Sequence, residues 1–488
     1  MKNKKQKIKS IKVNAILNVT KQLCKVVFPL ITMPYVTRVL QASGYGKYNF
    51  SNSIVSYFIL LAGLGINDYA IREGARIRDN EKKFQKFTEE VFTINVLSTI
   101  GSFVILCALL LFSEKLLDYR LIIIVQSISI ILTTIGCDWI NSVYEDYIYI
   151  TVRYIAIQIL SVIMLFALVK NADDYVMYAF VTTFASAAGN ILNVFYIRRY
   201  VHLRVTRKMN LKQHMKPIMM LFFNTIASTI YVNSDTTMLG YLQSETAVGI
   251  YGLATKIYLV IKQLLNAIVM VALPRLSAYL GSGEEVKYRE LTNRIFKAVC
   301  TLVVPAVIGM FMLSEEIVVI IGGTEYISGV MALKILSFAL FFSVLSVFYC
   351  CAIMLPFKQE KICLIASSTS ALINVVLNFW LIPIISYNGA AITTLISESL
   401  ILVIYIISSR KFIKLEVDYK FILSIVVGCL NIMLICLVVK SLIFNDIIII
   451  LISIFISAPT YFILQIVFKN EIVNGYYIVL KKRVKQLW

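Results

Sequence analysis

Apolar runs of about twenty residues recur along the whole chain, and each is long enough to cross the hydrocarbon core of a bilayer as a helix. No water is present inside lipid to satisfy backbone N–H and C=O groups, so such runs must be helical. The spans read roughly as 14–38, 48–70, 88–113, 120–144, 151–169, 175–197, 217–240, 248–272, 296–314, 329–355, 362–382, 389–408, 421–440 and 447–468. The pattern predicts an all-α polytopic membrane protein with about fourteen crossings. Only 15% of the 488 residues are charged, and the mean hydropathy is +0.81. A soluble domain carries nearer a quarter charged residues, so a water-soluble fold is excluded.

The formal net charge of +20 would suggest a nucleic-acid partner in a soluble protein. Here, however, Lys and Arg gather in alternate connections. One set comprises the N-terminal tail, 72–86, 198–216, 275–297, 410–420 and a tail with Lys481, Lys482, Arg483 and Lys485. The other holds little more than Lys47, Lys115, Arg120, Lys170 and Lys440. This bias predicts both termini and the basic loops in the cytoplasm, and no nucleic-acid partner. The basic opening MKNKKQKIKSIK leads into a long segment containing Lys21, Lys25, Pro29 and Pro34, without a small-residue cleavage site. It reads as a retained first helix rather than a signal peptide. All nine cysteines fall inside apolar runs, so no disulfide framework is expected. His202 and His214 are read as sharing one basic loop with no Cys or carboxylate cluster beside them, so no metal is expected. The stretch 315–329 (EEIVVIIGGTEYISG) reads as an amphipathic segment on the outer interface.

A weak internal repeat is visible. Leu40-Gln41 precedes Gly46-Lys47-Tyr48 at the end of the first span, and Leu242-Gln243 precedes Gly249-Ile250-Tyr251 at the end of the seventh. It fits two six-helix lobes, 1–216 and 217–415, followed by two further helices and a basic tail in 416–488.

Charge inside a membrane helix costs about 2.5–3.5 kcal/mol at the centre on insertion scales, and so requires a reason. The first span carries Asn14, Asn18, Lys21, Lys25 and Thr32, which at about 100° per residue form one stripe. The seventh carries Asn224, Ser228, Tyr231 and Asp235; the fourth carries Ser127, Thr134, Asp138, Asn141 and Glu145; the eighth carries Lys256 and Lys262. Each has a plainer reading. Lys21 is placed to snorkel, Arg38 to anchor at the interface, Asp138 and Asp235 to pair with lysines of neighbouring helices, and Ser, Thr and Asn to glue helices together. Repetition of the stripes favours a water-filled, cation-lined cavity suited to an anionic headgroup. Pro29 and Pro34 interrupt helical hydrogen bonds and predict a kink in the helix that carries Lys21 and Lys25. No GxxxxGK[ST], GxSxG or HExxH motif is present, so neither an enzyme nor a cofactor is expected.

The segment 28–80 (FPLITMPYVTRVLQASGYGKYNFSNSIVSYFILLAGLGINDYAIREGARIRDN) resembles the start of Wzx-type polysaccharide flippases, through Pro34-Tyr35, Arg38, Gly46, Tyr48, Gly65, Tyr69 and Ile71-Arg72-Glu73. The resemblance continues through Asp138-Trp139, Glu145, Asp174-Tyr175, 273–277 (LPRLS), Leu355-Pro356 with Lys358 and Lys361, and 374–398. The last of these is similar across the wider multidrug/oligosaccharidyl-lipid/polysaccharide exporter superfamily. The resemblance implies a two-lobed bundle that moves undecaprenyl-pyrophosphate-linked repeat units across the bacterial cytoplasmic membrane by alternating access. It implies Lys21, Lys25, Arg38, Lys256, Lys262 and Asn224 as contacts to the substrate, and Asp138, Asp235 and Glu398 as coupling or pairing carboxylates. Pro29 and Pro34 become hinges, a proton or sodium ion the coupling ion, and membrane lipids, a polysaccharide polymerase and export machinery the partners. A peptidoglycan-precursor flippase also needs a basic cavity. The Lys-rich stripes disfavour an exporter of cationic drugs, and the short outer loops disfavour a glycan polymerase or ligase.

Overall fold

The computed structural model describes residues 11–207 and 209–475, with the side chains of 11–16, 18, 19 and 224 outside that description. The described residues are helical, with no strand among them. They form two compact units, 1–249 and 250–488. The first holds α1 (Ile11–Gly63), α2 (Ile66–Ile77), α3 (Glu81–Phe112), α4 (Arg120–Gly136), α5 (Asp138–Val143), α6 (Tyr147–Leu168), α7 (Tyr175–Tyr196) and α8 (Leu211–Leu242). The boundary falls early in α9 (Glu245–Gly281). The second unit continues with α10 (Glu285–Met312), α11 (Ser314–Gly322), α12 (Val330–Tyr349), α13 (Glu360–Ser409), α14 (Tyr419–Leu442) and α15 (Asp446–Val467). Large side chains such as Phe112, Trp380 and Phe444 lie exposed, as a lipid-facing exterior requires.

Twelve helices among the described residues are long and apolar enough to cross a membrane. Two are much too long for one crossing. At about 1.5 Å per residue, the 53 residues of α1 and the 50 of α13 would each run more than twice the ~30 Å hydrocarbon core. Both are interrupted. Gln41 leaves helical geometry in α1 (φ 56, ψ 179), and Ile385 and Ser386 do so in α13. These breaks fall in the intervals 38–48 and 382–389, where the hydropathy pattern divides each run in two. Pro29 and Pro34 lie inside α1, but the residue that departs from helical dihedrals is Gln41.

The repeated motif explains the α1 break. A Cβ on Gly46 would sit 1.8 Å from the Glu245 carbonyl oxygen, and one on Gly249 would sit 1.9 Å from the Ala42 carbonyl oxygen. The two glycines therefore let the backbones of α1 and the start of α9 touch, each repeat resting on the other. Next to this crossing Glu245 accepts from Tyr119 (2.8 Å) and Ser43 (3.4 Å).

Two further features differ from the sequence expectation. The span expected over 120–144 is broken at Cys137, which adopts a left-handed conformation (φ 46, ψ 48) between α4 and α5. His214 is not in a loop but in the first turns of α8, buried, with Glu90 as partner. The segment 315–329 forms α11 and a short 3-10 turn, with Glu315 exposed and Glu316 buried and paired with Lys440 of α14 at 2.8 Å. All nine cysteines are free thiols in this structure.

Candidate functional site

In the first unit, the α4–α5 break places a carboxylate among cations. Asn193 of α7 donates to the carbonyl of Gly136 at 2.6 Å, which holds the last turn of α4 open at Cys137. The same amide donates to Asp138 Oδ1 at 3.1 Å, and Asn141 donates back to Asn193 Oδ1 at 2.6 Å. Arg153 of α6 closes the cluster, donating from Nη2 to Asp138 Oδ1 at 2.6 Å. Its guanidinium is 7% exposed while Asp138 is 43% exposed, so one side of the carboxylate faces open space. Arg153 Nη1 is buried without a hydrogen-bond partner. Lys21 of α1 is half-buried with its ammonium 5.9 Å from the Tyr154 ring, and it feels the charges of Lys25, Asp138 and Arg153. Lys21 is thus within electrostatic reach of Lys25, Arg153 and Asp138, and the one carboxylate among them is paired with Arg153.

In the second unit, Glu398 of α13 is buried and its Oε1 accepts three bonds: from Lys262 at 2.8 Å, Ser343 at 2.9 Å and Tyr258 at 3.1 Å. The Lys262 charge is therefore neutralised in place. Lys256, six residues earlier on α9, is half-buried. Among the described residues, neither Lys21, Lys25 nor Lys256 has a carboxylate within the 4.0 Å of an ion pair.

The remaining sequence candidates are spread over other surfaces. Arg38 is exposed on α1. Asp235 is buried on α8, where its charge reaches Tyr57 of α1. Asn224 lies on α8 with its side chain outside the described residues. Sequence reasoning missed Arg153, Glu90 and the hydroxyl partners Tyr258 and Ser343. Arg153 and Glu90 each lie two residues inside an expected span, where a charge reads as interfacial. Their burial was the missing signal. Among the described residues no cluster of three or more His, Cys, Asp or Glu is disposed to hold a metal.

The family profile described as polysaccharide biosynthesis protein matches residues 11–280, and that of MatE matches 221–380. A protein of Escherichia coli (strain K12) named "Putative O-antigen transporter" is 24% identical over 395 residues, covering 80% of this chain and 95% of that one. The capsular polysaccharide biosynthesis protein CapF of Staphylococcus aureus is 22% identical over 413 residues, covering 82% and 98%. Among solved structures, the lipid II flippase MurJ in an inward closed conformation superposes with a TM-score of 0.71 at 16% identity, over 94% of this chain and 99% of that one. An inward-facing multidrug resistance transporter of the MATE family gives 0.57 at 12% identity, over 81% and 97%. These structural likenesses establish the fold. The chain belongs to the polysaccharide biosynthesis protein family, and the resemblance of its sequence to Wzx-type polysaccharide flippases of the multidrug/oligosaccharidyl-lipid/polysaccharide exporter superfamily holds.

Proposed function

We propose that this chain carries undecaprenyl-pyrophosphate-linked oligosaccharide repeat units across the bacterial cytoplasmic membrane for surface polysaccharide synthesis. The observation that carries this reading is the set of cations Lys21, Lys25 and Lys256, held on apolar helices with no carboxylate in ion-pair distance among the described residues. Such charges are costly in a membrane unless an anion meets them. A pyrophosphate with attached sugars supplies that anion, while its polyprenyl tail stays in lipid. Unaided crossing would strip water from phosphates and hydroxyls, which is prohibitively costly. The names of the Escherichia coli, Shigella dysenteriae and Staphylococcus aureus relatives place them in surface-glycan synthesis, which supports the same substrate class here. With α1 and α13 read as two crossings each, an even number of spans is consistent with both termini on one side, and the Lys and Arg bias of the loops supports the cytoplasm as that side. Transport then proceeds by exposing the cations to the two sides in turn.

Lys25→Ala combined with Lys256→Ala tests this in a strain that depends on the chain for its surface glycan. Each charged contact is worth about 2–5 kcal/mol, so export should fall by about 30-fold or more with the protein still in the membrane. Normal surface glycan in the double variant would contradict the reading.

A further inference from the structure

We propose that Tyr69, His214 and Glu90 form a proton-binding switch that sets how α8 is seated on α2 and α3. The three side chains are 3%, 1% and 6% exposed and come from three different helices. The Tyr69 hydroxyl lies 2.7 Å from His214 Nδ1, and His214 Nε2 lies 2.7 Å from Glu90 Oε2. Their surroundings are apolar. The Phe87 ring is 5.7 Å from the imidazole and 5.9 Å from the Tyr69 ring, Trp139 of α5 stands 6.2 Å from Phe87, and Ile218 fills the next turn of α8.

Few charges face the site. From α3, Lys86 approaches Glu90 to 3.9 Å with its side chain 74% exposed. From α2, Arg72 and Glu73 act on Tyr69 but pair with each other at 3.0 Å. On α8, Lys212 and Lys216 flank His214 and are exposed. From α5, the packed residues Trp139, Ile140 and Val143 carry no charge.

The hydrogen-bond arithmetic gives the site two states. With neutral imidazole, the phenol donates to Nδ1 and Nε2–H donates to the Glu90 carboxylate. Every donor is used, and the chain of three groups carries one negative charge. One proton taken from water at Nδ1 makes the imidazolium, and the three groups become neutral overall. Nδ1 is then a donor, so the phenol oxygen accepts and its own hydrogen must turn elsewhere. At the same time the bond to the Glu90 carboxylate, already charge-assisted, becomes a full ion pair between imidazolium and carboxylate and gains their Coulomb attraction. Proton uptake therefore loosens the grip of α8 on α2 and tightens its grip on α3. An imidazole is the side chain suited to such an exchange near neutral pH.

The rest of α8 transmits the change. Thr237 donates to Ser53 of α1 at 2.8 Å, so a reseated α8 moves against the helix that carries Lys21 and Lys25. Of the carboxylates expected to couple an ion to transport, Asp138 and Glu398 are held by Arg153 and Lys262, and Asp235 is buried on α8. The Tyr69–His214–Glu90 chain supplies a proton site that those pairs do not. Only the link to transport rests on the flippase reading; proton binding does not.

The test uses the full-length protein in detergent with Trp380 and Trp488 replaced by Phe, which leaves Trp139 beside Phe87 as the reporter. Its fluorescence should show one titration between about pH 5 and 8. That transition should vanish in His214→Gln, which keeps a hydrogen-bonding side chain but does not titrate. Tyr69→Phe is the milder variant, removing a single hydroxyl, and should displace the midpoint by about one pH unit. No transition in the parent protein, one that survives His214→Gln, or a midpoint unmoved in Tyr69→Phe would overturn the proposal. In proteoliposomes, His214→Gln should also make glycan flipping indifferent to an imposed proton gradient, and a retained response would overturn the link to transport. A parent protein that shows the titration but flips no glycan would sink the functional reading and leave the proton site standing.

Discussion

Gly46→Ala and Gly249→Ala are each expected to prevent the chain from accumulating as a folded membrane protein. The added methyl would stand 1.8 Å from the Glu245 carbonyl oxygen in the first case and 1.9 Å from the Ala42 carbonyl oxygen in the second. Both obstacles are backbone, so no rotamer change relieves them, and α1 must separate from the start of α9. Close approach through small residues is a main source of helix association in lipid, where no hydrophobic force draws helices together. Overpacking typically costs about 1–3 kcal/mol and more when backbone must move, against a total stability of about 5–15 kcal/mol. The measurement is the yield and melting temperature of the monodisperse protein in detergent. Gly101→Ala is the control: its methyl meets nothing within 4 Å, and alanine is the better helix former. A melting temperature for Gly46→Ala equal to that of Gly101→Ala would contradict the crossing.

Lys262→Ala should destabilise the second unit by about 3–5 kcal/mol, because it leaves the Glu398 carboxylate buried and unpaired. The double replacement Lys262→Met with Glu398→Gln should recover most of that loss, since removing both charges also removes the desolvation cost. The two effects are therefore strongly non-additive, as expected of side chains in one network. Melting temperatures of Lys262→Met, Glu398→Gln and the double variant measure this. Additive losses would show that Lys262 acts through some other group. Lys262 is thus a structural partner of Glu398, whereas Lys256 has no carboxylate within ion-pair distance among the described residues.

The membrane architecture was legible because hydropathy is a local property, and each apolar run declares itself without its neighbours. The breaks at Gln41 and at Ile385–Ser386 were legible for the same reason, since polar or small residues separate two runs there. What lay hidden depends on contacts between distant residues. Pro29 and Pro34 mark a kink in the sequence, yet the departure from helix sits at Gln41, next to the glycine crossing with α9. Nothing local distinguishes Cys137; the helix ends there because Asn193, far along the chain, captures the carbonyl of Gly136. Asp138 was expected to face a lysine of an adjacent helix, and its partner is Arg153. Glu90 and His214 sit near the ends of apolar runs, where charge is commonplace, and only their burial against Tyr69 sets them apart.

The most direct test is flipping by the purified chain in proteoliposomes. A short-chain polyprenyl-pyrophosphate oligosaccharide, placed in both leaflets, is exposed to a membrane-impermeant glycosidase. Without protein, only the outer-leaflet pool should be cleaved. With the chain present, essentially the whole pool should become cleavable, and the Lys25→Ala, Lys256→Ala variant should return it to the outer-leaflet fraction. An outer-leaflet fraction unchanged by the parent chain would contradict its assignment as a lipid-linked glycan flippase.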